Sequence, residues 1–424
     1  MESPPPPSPP ANPAMAAAEF EAALTLPRDA DRSGRDLGAE ELALLAEVVR
    51  SGTLNSTAGT AVARFERAFA GRFGAAHAVA CSSGSAAVHA AVASLGLEPG
   101  DEIVTTPITD MGAVMPLVYE GAVPVFCDVD PCVGNVTAGT IEPRLTSRTR
   151  AIIVTHLFGQ PCDMAPILSL ARARGLTVIE DCAQAPLARD RVGPVGTLGH
   201  LGCFSLQQSK HLTTGEGGMV ISGAAEDHGV ATTVRWFVNK GWSYGASEPD
   251  HELPALNFRM TELQGAVGLA QLRKLEGVVE RRRATAKLLR DGIAEVRGVA
   301  LPPAPAAGVL HSYWRVPLLV DADVPGGPAA VARALAPLGV RAQPHYIRKP
   351  AYRCRVFREW ARFAVTRAVF ERAGRGPEPP AEHAIGVEAW LSRVLVLPWN
   401  ERYEPRHVQS IVAALREASD GGWR

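Results

Sequence analysis

The sequence predicts an α/β protein: a mostly parallel central sheet flanked by helices, followed by a smaller α+β unit. Three observations carry this. From residue 77 onward, short β-rich runs alternate with helical segments, the pattern of a parallel sheet covered by helices. Several of those runs, such as AIIVTHLFG and LTVIEDCAQ, are almost continuously apolar, as strands buried on both faces are. A long helical stretch from Met260 to Val296 then meets LPPAPAAG at 301–308, a linker by composition, beyond which the pattern starts afresh.

In chain order, residues 1–15 are Pro-rich and predict a disordered tail. An amphipathic helix is predicted around 38–50, with Leu42, Leu44, Leu45, Val48 and Val49 set among acids, and a second helix puts Phe65 and Phe69 four apart on one face. HAVAC reads as a strand and SAAVHAAVASLGL as a helix; DEIVTTP, VPVFCDVD, AIIVTHLFG, LTVIEDCAQ, LGCFSLQ and GGMVIS supply further strands. After the linker come strand HSYWRVPLLV, helix GPAAVARALAPLG and a late strand RVLVLP, with an exposed basic loop around 371–380. The division expected is a tail at 1–15, a large domain at 16–296 and a small domain at 297–424.

Bulk composition narrows the function. At 424 residues the chain suits two domains, and its 46% apolar and 21% charged content suits a large core. A net charge of −1 argues against a broad electrostatic hold on nucleic acid or an anionic membrane. The seven cysteines show no CxxC pair, which argues against a zinc site or a disulfide scaffold and fits a reducing cytoplasm. The first residues carry no basic or apolar signal segment, and no apolar run approaches membrane-spanning length. The expectation is a soluble cytoplasmic protein without metal.

Four segments carry chemistry. In CFSLQQSKHLTTGEGGMV, Lys210 sits between an apolar strand and a glycine-rich turn. A lysine held at a strand end can lose its proton and condense with an aldehyde; read alone, it fits a surface hairpin lysine equally well. In LTVIEDCAQAPLA, Asp181 ends a run of β-formers, where ligands of parallel sheets bind. It suits a protonated pyridine nitrogen, with Gln184 near a phenolic oxygen, or a plain cap or salt bridge. In ACSSGSAAVHAAVASLG, a strand runs through Ser83, Gly84 and Ser85 into a helix, an anion site by construction or an ordinary capped helix. It is neither a Walker A motif nor GxGxxG, so ATP and NAD readings lack support. In NFRMTELQGAVGLAQL, Asn257 and Arg259 precede the long helix and alone are merely loop polars. His156, His200 and His211 read as structural, and RRRATAK at 281–287 as a solvated helix face.

In this order and spacing, SSGSAAV, GAVPVFCDVD, HLFGQPCDM, EDCAQA, FSLQQSKHLTTGEGGM, NFRMTELQGAVGLAQL and HSYWRVPL resemble the DegT/DnrJ/EryC1/StrS family of sugar aminotransferases, from about residue 38 to the C-terminus. The resemblance implies a fold type I transferase with pyridoxal 5'-phosphate as cofactor, bound by the large domain. It implies Lys210 as the covalent anchor, Asp181 at the pyridine nitrogen and Gln184 near the phenolic oxygen. Gly84, Ser85 and Ser205 would hold the phosphate, and Asn257 would reach it from a second subunit, giving a homodimer with shared sites. The family often sets an aromatic ring over the cofactor from the loop after the 101–107 strand; here that loop is PITDMGAVMP, leaving Met111 as the stacking candidate. Lys210, where some relatives carry a deoxygenating His, favours transamination.

The activity implied is transfer of an amino group from glutamate or glutamine to a keto-sugar, nucleotide-linked, or to a keto-cyclitol, in amino-sugar or aminoglycoside-type biosynthesis. A dehydratase or epimerase on the same scaffold, or a non-catalytic regulatory relative, is the alternative. Arg235, Lys240, Arg348 and Lys349 are the cations considered for a diphosphate, and the loop HYIRKPAYR at 345–353 is considered for the acceptor pocket.

Overall fold

The structure is a computed structural model and describes residues 25–223 and 228–423. The expected tail at 1–15 lies outside them. The first two α-helices among the described residues are α1 (Ala39–Ser51) and α2 (Ala61–Phe73). Strand β1 (His77–Cys81), helix α3 (Gly84–Ala93), β2 (Glu102–Thr105), β3 (Val123–Phe126) and β4 (Thr149–Thr155) follow. Then come helix α4 (Met164–Arg174), β5 (Thr177–Asp181), the short β6 (Arg189–Asp190) and β7 (Gly193–Pro194), β8 (Leu201–Ser205) and β9 (Gly218–Ser222).

The central sheet has seven strands in the order β1-β9-β8-β5-β4-β2-β3. The β2–β3, β2–β4, β4–β5 and β5–β8 pairs are parallel, whereas β9 runs antiparallel to both β8 and β1. The exception has a local cause. Residues 206–217 form a tight turn rather than a helical crossover, and a chain that turns straight back lies antiparallel. Lys210 sits in that turn. The expected fold class, a fold type I transferase with a mostly parallel sheet flanked by helices, is what the structure contains.

Both faces of the sheet are covered. On one, β8 presents Phe204 to α2, whose Phe69 meets it edge-on at 5.2 Å and stacks on Phe73 at 4.4 Å. Phe65 and Phe69 are buried together, as their spacing predicts. On the other face, Cys203 packs with the small residues of α3 and with Ile179 and Val220. Each such aromatic side chain withdrawn from water stabilises by roughly 1.5–3 kcal/mol, so β8, which leads into the Lys210 turn, is held from both sides.

Helix α5 (His228–Val238) leads to α6 (Glu262–Gly292), a 31-residue helix that Thr261 caps by accepting the Gln264 N–H. The capping box explains why the predicted Met260–Val296 stretch starts there. The second sheet comprises β10 (Val299–Ala300), β11 (Arg315–Val320), β12 (Gln343–Pro344) and β13 (Val394–Pro398), ordered β10-β11-β13-β12 and antiparallel throughout. The segment between β12 and β13 turns back: Tyr352, Phe357, Phe370 and Trp390 share a core with Phe126, Val154 and Val178 of the large sheet.

One expectation is corrected here. Arg282, in the run read as a solvated face, is fully buried and bonded to Glu401 at 2.6 Å. Three successive residues on a helix sweep about 200°, so one of them must face inward when the helix is packed on two sides. The stretch around 371–380 is a mostly exposed loop as expected, apart from its first residues, which end helix Ala364–Ala373, and Arg375, which is tied to the buried Glu102 at 2.8 Å. Among the described residues no helix is long and apolar enough to cross a membrane, and all seven cysteines are free.

Candidate active site

Topology puts the chemistry at one edge. β4, β5 and β8 are parallel and end at Thr155, Asp181 and Ser205, while β1 ends just before Ser83. A cavity of about 400 Å³ opens there, lined by Ser83, Gly84, Ser85, Asp110, Asp181, Gln184, Ser205, Lys210, Trp314 and Tyr346 among others. Residues expected from three of the four segments thus meet in one space, whereas Asn257 of the fourth segment and the stacking candidate Met111 do not line it.

Each side chain is held by local structure. Asp181 is buried; Oδ2 accepts from the Thr155 hydroxyl at 3.3 Å and Oδ1 from the Ala183 N–H at 3.0 Å. Burial raises its pKa above the usual carboxylate range, opposed by the Ala183 N–H and the Lys210 charge. The Lys210 amine lies 4.0 Å from the centroid of the Trp314 ring, whose indole N–H donates to the Ser209 carbonyl at 2.8 Å. Lys210 keeps some exposure through the cavity, yet burial pushes its amine down to about 8 against the opposing pull of Asp181. A neutral amine is therefore accessible near physiological pH.

At the other end, Ser83 caps α3 by accepting the Ala86 N–H at 3.1 Å. The helix starts at Gly84, where a Cβ would come within 2.8 Å of Ser205 Cβ. The missing side chain leaves a concave cradle between Gly84, Ser85 and Ser205 at the positive end of a helix dipole, suited to an anion. Gln184 uses Oε1 to accept the Phe158 N–H at 2.6 Å and Nε2 to donate to the Tyr346 hydroxyl at 3.2 Å. Its amide nitrogen has a second N–H to offer. Burial pushes the Tyr346 phenol up to about 12, so it stays protonated.

Met111 and Asn257 do not line the cavity. Asp110 Oδ1 accepts the Gly112 N–H at 2.8 Å, and in this tight turn the partly buried Met111 packs against the edge of an apolar core, leaving Asp110 and Gly112 at the cavity. Met111 is thus displaced from the stacking role expected of it. Asn257 is exposed, bridges Asn239 and accepts the Arg259 N–H at 3.2 Å. The four cations considered for a diphosphate are absent from the lining too. Arg235 is spent on the partly buried Glu66 at 3.1 Å.

None of His156, His200 and His211 lines the cavity. His156 bonds Glu180 and accepts the Cys162 N–H, His200 accepts the Val178 N–H, and His211 donates to the Ser312 carbonyl. Sequence reasoning missed the position of Trp314, although it lies in HSYWRVPL, and those of Gln207, Ser209 and Glu216. It reached Tyr346 only as part of a loop. An aromatic residue next to Arg315 at a strand start was the one available signal for Trp314.

Comparison with known proteins agrees with this geometry. The family model described as the DegT/DnrJ/EryC1/StrS aminotransferase family matches residues 35–416. A GDP-perosamine synthase of Caulobacter vibrioides is 34% identical over 293 residues, 68% of this chain and 77% of the relative. A UDP-N-acetyl-3-dehydro-alpha-D-glucosamine 3-aminotransferase of Acidithiobacillus ferrooxidans is 33% identical over 358 residues, 84% of this chain and 88% of the relative. Among solved structures, the aminotransferase TlmJ of Streptoalloteichus hindustanus superimposes with a TM-score of 0.77 at 30% identity, covering 92% of this chain and 98% of that one. The chain therefore belongs to the DegT/DnrJ/EryC1/StrS aminotransferase family and is a pyridoxal 5'-phosphate-dependent transaminase acting in sugar metabolism.

Proposed function

We propose that this enzyme moves an amino group from glutamate or glutamine to a keto-sugar, nucleotide-linked, or to a keto-cyclitol, as a cytoplasmic homodimer. The observation that carries the reading is a single cavity containing a half-buried lysine with a lowered pKa, a buried carboxylate at a strand end, and an anion cradle at a helix N-terminus.

These residues fit the cofactor. The space that a Cβ on Gly84 would fill, with Ser85 and Ser205 beside it, suits the phosphate. When bound, pyridoxal 5'-phosphate supplies an aldehyde that condenses with amines and a ring that accepts the electron pair released at the donor's α-carbon. Asp181, oriented by Thr155 and Ala183, holds the proton on the ring nitrogen; its burial makes a cationic partner necessary to keep the carboxylate ionised. Lys210 would anchor the cofactor, and its freed amine would take the α-proton from the donor and pass it to the cofactor carbon that had carried the aldehyde. Trp314 holds that amine against one wall, and Gln184 meets the phenolic oxygen. Asn257 reaches the cavity of the neighbouring copy. In this reading residues 16–296 form the cofactor-binding domain and 297–424 the smaller one.

Lys210→Ala is the test. Turnover and the absorbance band of the Lys210–cofactor link vanish while circular dichroism is unchanged; a fully active alanine variant would refute the assignment. Incubating the enzyme with glutamate separates transamination from dehydration or epimerisation, since only the former yields 2-oxoglutarate in one stoichiometric burst. A screen of keto-sugars and keto-cyclitols then identifies the acceptor.

A further inference from the structure

The Lys210 turn is gripped by residues that line no part of the cavity. Arg35, its side chain 1% exposed, donates from Nη2 to the carbonyl oxygen of Lys210 itself at 2.8 Å. Arg282, 0% exposed, donates from Nη1 to the carbonyls of Tyr313 (3.3 Å), Trp314 (3.2 Å) and Trp399 (2.7 Å). Glu401 joins the two guanidinium groups. Its Oε2 accepts from Arg282 at 2.6 and 3.1 Å, and its Oε1 faces Arg35 Nη1 at 3.8 Å. Asp29 is the second acid, 3.9 Å from Arg35, 3.8 Å from Arg282 and 2.7 Å from Arg315.

Residues near both ends of the chain and from the middle of α6 thus converge behind the lysine. Three arginines against two acids leave an excess positive charge, and Arg35 Nε and Nη1 have no hydrogen-bond partner among the described residues. Stability alone accounts poorly for this arrangement, because well-packed apolar side chains commonly do as well as a buried ionic cluster. What the cluster supplies that apolar packing does not is a set of rigid, directed N–H donors. Those donors fall on the backbone at Lys210 and at Trp314, the residue whose ring covers the lysine amine.

We propose that Arg35 and Arg282, joined through Glu401, are positioning residues that fix the Lys210 backbone and the Trp314 ring as one rigid unit, presenting the amine in a single geometry. This rests on the reading of Lys210 as the reacting amine. Displacing a reacting group by an ångström can cost on the order of 100-fold in rate, so a loosened anchor acts at the chemical step.

The test uses Arg35→Ala in two forms of the enzyme. In the cofactor-loaded enzyme, kcat per loaded site falls by about 10-fold or more, while KM for the amino donor changes by less than about 3-fold. In the cofactor-free enzyme, Lys210 is labelled with formaldehyde and a hydride donor and followed by peptide mass spectrometry. The pH of half-maximal labelling rises in the variant by roughly half a unit or more, because a loosened turn lets water reach the ammonium. If Arg35→Ala does not fold, Arg35→Met/Glu401→Gln, which fills the volume and removes one charge of each sign, is read in the same two ways. A folded variant with wild-type kcat per loaded site and an unchanged labelling profile overturns the proposal. An active Lys210→Ala enzyme would instead overturn the assignment of Lys210, and the labelling profile does not depend on that outcome.

Discussion

Glu180→Gln should destabilise the protein by several kcal/mol while changing a single atom. Glu180 precedes Asp181 on β5 and is 0% exposed. Oε1 accepts the N–H groups of Leu198 at 2.8 Å and Gly199 at 2.7 Å. Oε2 accepts the Gly196 N–H at 2.8 Å and the His156 ring at 3.0 Å. Because His156 Nδ1 accepts the Cys162 N–H at 3.0 Å, the ring proton sits on Nε2 and points at Glu180. All four contacts therefore need an acceptor. A glutamine has one acceptor oxygen, and in either orientation its NH₂ would face two donors. Two hydrogen bonds to a charged acceptor are lost, at about 1.5–3 kcal/mol each, so the expected destabilisation is about 3–6 kcal/mol. The damage also reaches the site, since the His156 backbone N–H donates to the Asp181 carbonyl at 3.1 Å. Urea unfolding of the cofactor-free enzyme, wild type against variant, measures the effect. A loss below about 1 kcal/mol would show that the loop relaxes around the amide and that the four-donor argument is wrong.

Three further outcomes are expected. Asp181→Asn should lower kcat by about 100-fold or more, the loss of roughly 2.7 kcal/mol of differential stabilisation, and near-normal kinetics would remove the argument that this carboxylate holds the ring proton. Gly84→Ala should weaken cofactor binding by about 10-fold, measured by absorbance titration, because its Cβ would sit 2.8 Å from Ser205 Cβ where carbon atoms prefer about 3.5–4.0 Å; unchanged affinity would place the phosphate elsewhere. For pH, Lys210 has a folded-state pKa of about 8 against the ordinary 10.5. Between those values the unfolded chain binds a proton that the folded chain does not, so the cofactor-free enzyme should gain stability as pH rises from about 8 towards 10.5. The penalty is fully present below that window. Urea midpoints across it should rise more steeply for wild type than for Lys210→Met, and parallel slopes would mean that the amine is not desolvated.

Much of the architecture was legible because burial leaves a periodic mark. Ile152, Ile153 and Val154 are buried on both faces of the sheet, and their continuous apolarity predicted it. Phe65 and Phe69 were legible from four-residue spacing. Lys210, Asp181 and the Ser83–Ser85 turn could be singled out, but each had an ordinary structural reading that sequence could not dismiss. Their meeting in one cavity is what distinguishes the readings. Charged residues misled in both directions. Arg282 looked like part of a solvated run and is buried, while Arg235 looked available for substrate and is held by Glu66. Charge pattern does not reveal which acid a cation will find across the fold.

Local order in the chain therefore determined which segments become strands and helices, where they begin, and which residue types stand at strand ends, since backbone preference and apolar spacing act over a few residues. Tertiary structure alone decided that Met111 turns away from the cavity, that Trp314 covers Lys210, and that Arg35, Arg282 and Glu401 meet behind it. Those contacts join residues tens to hundreds of positions apart. Their energies depend on direction and burial, quantities that come into being only once the chain has closed on itself.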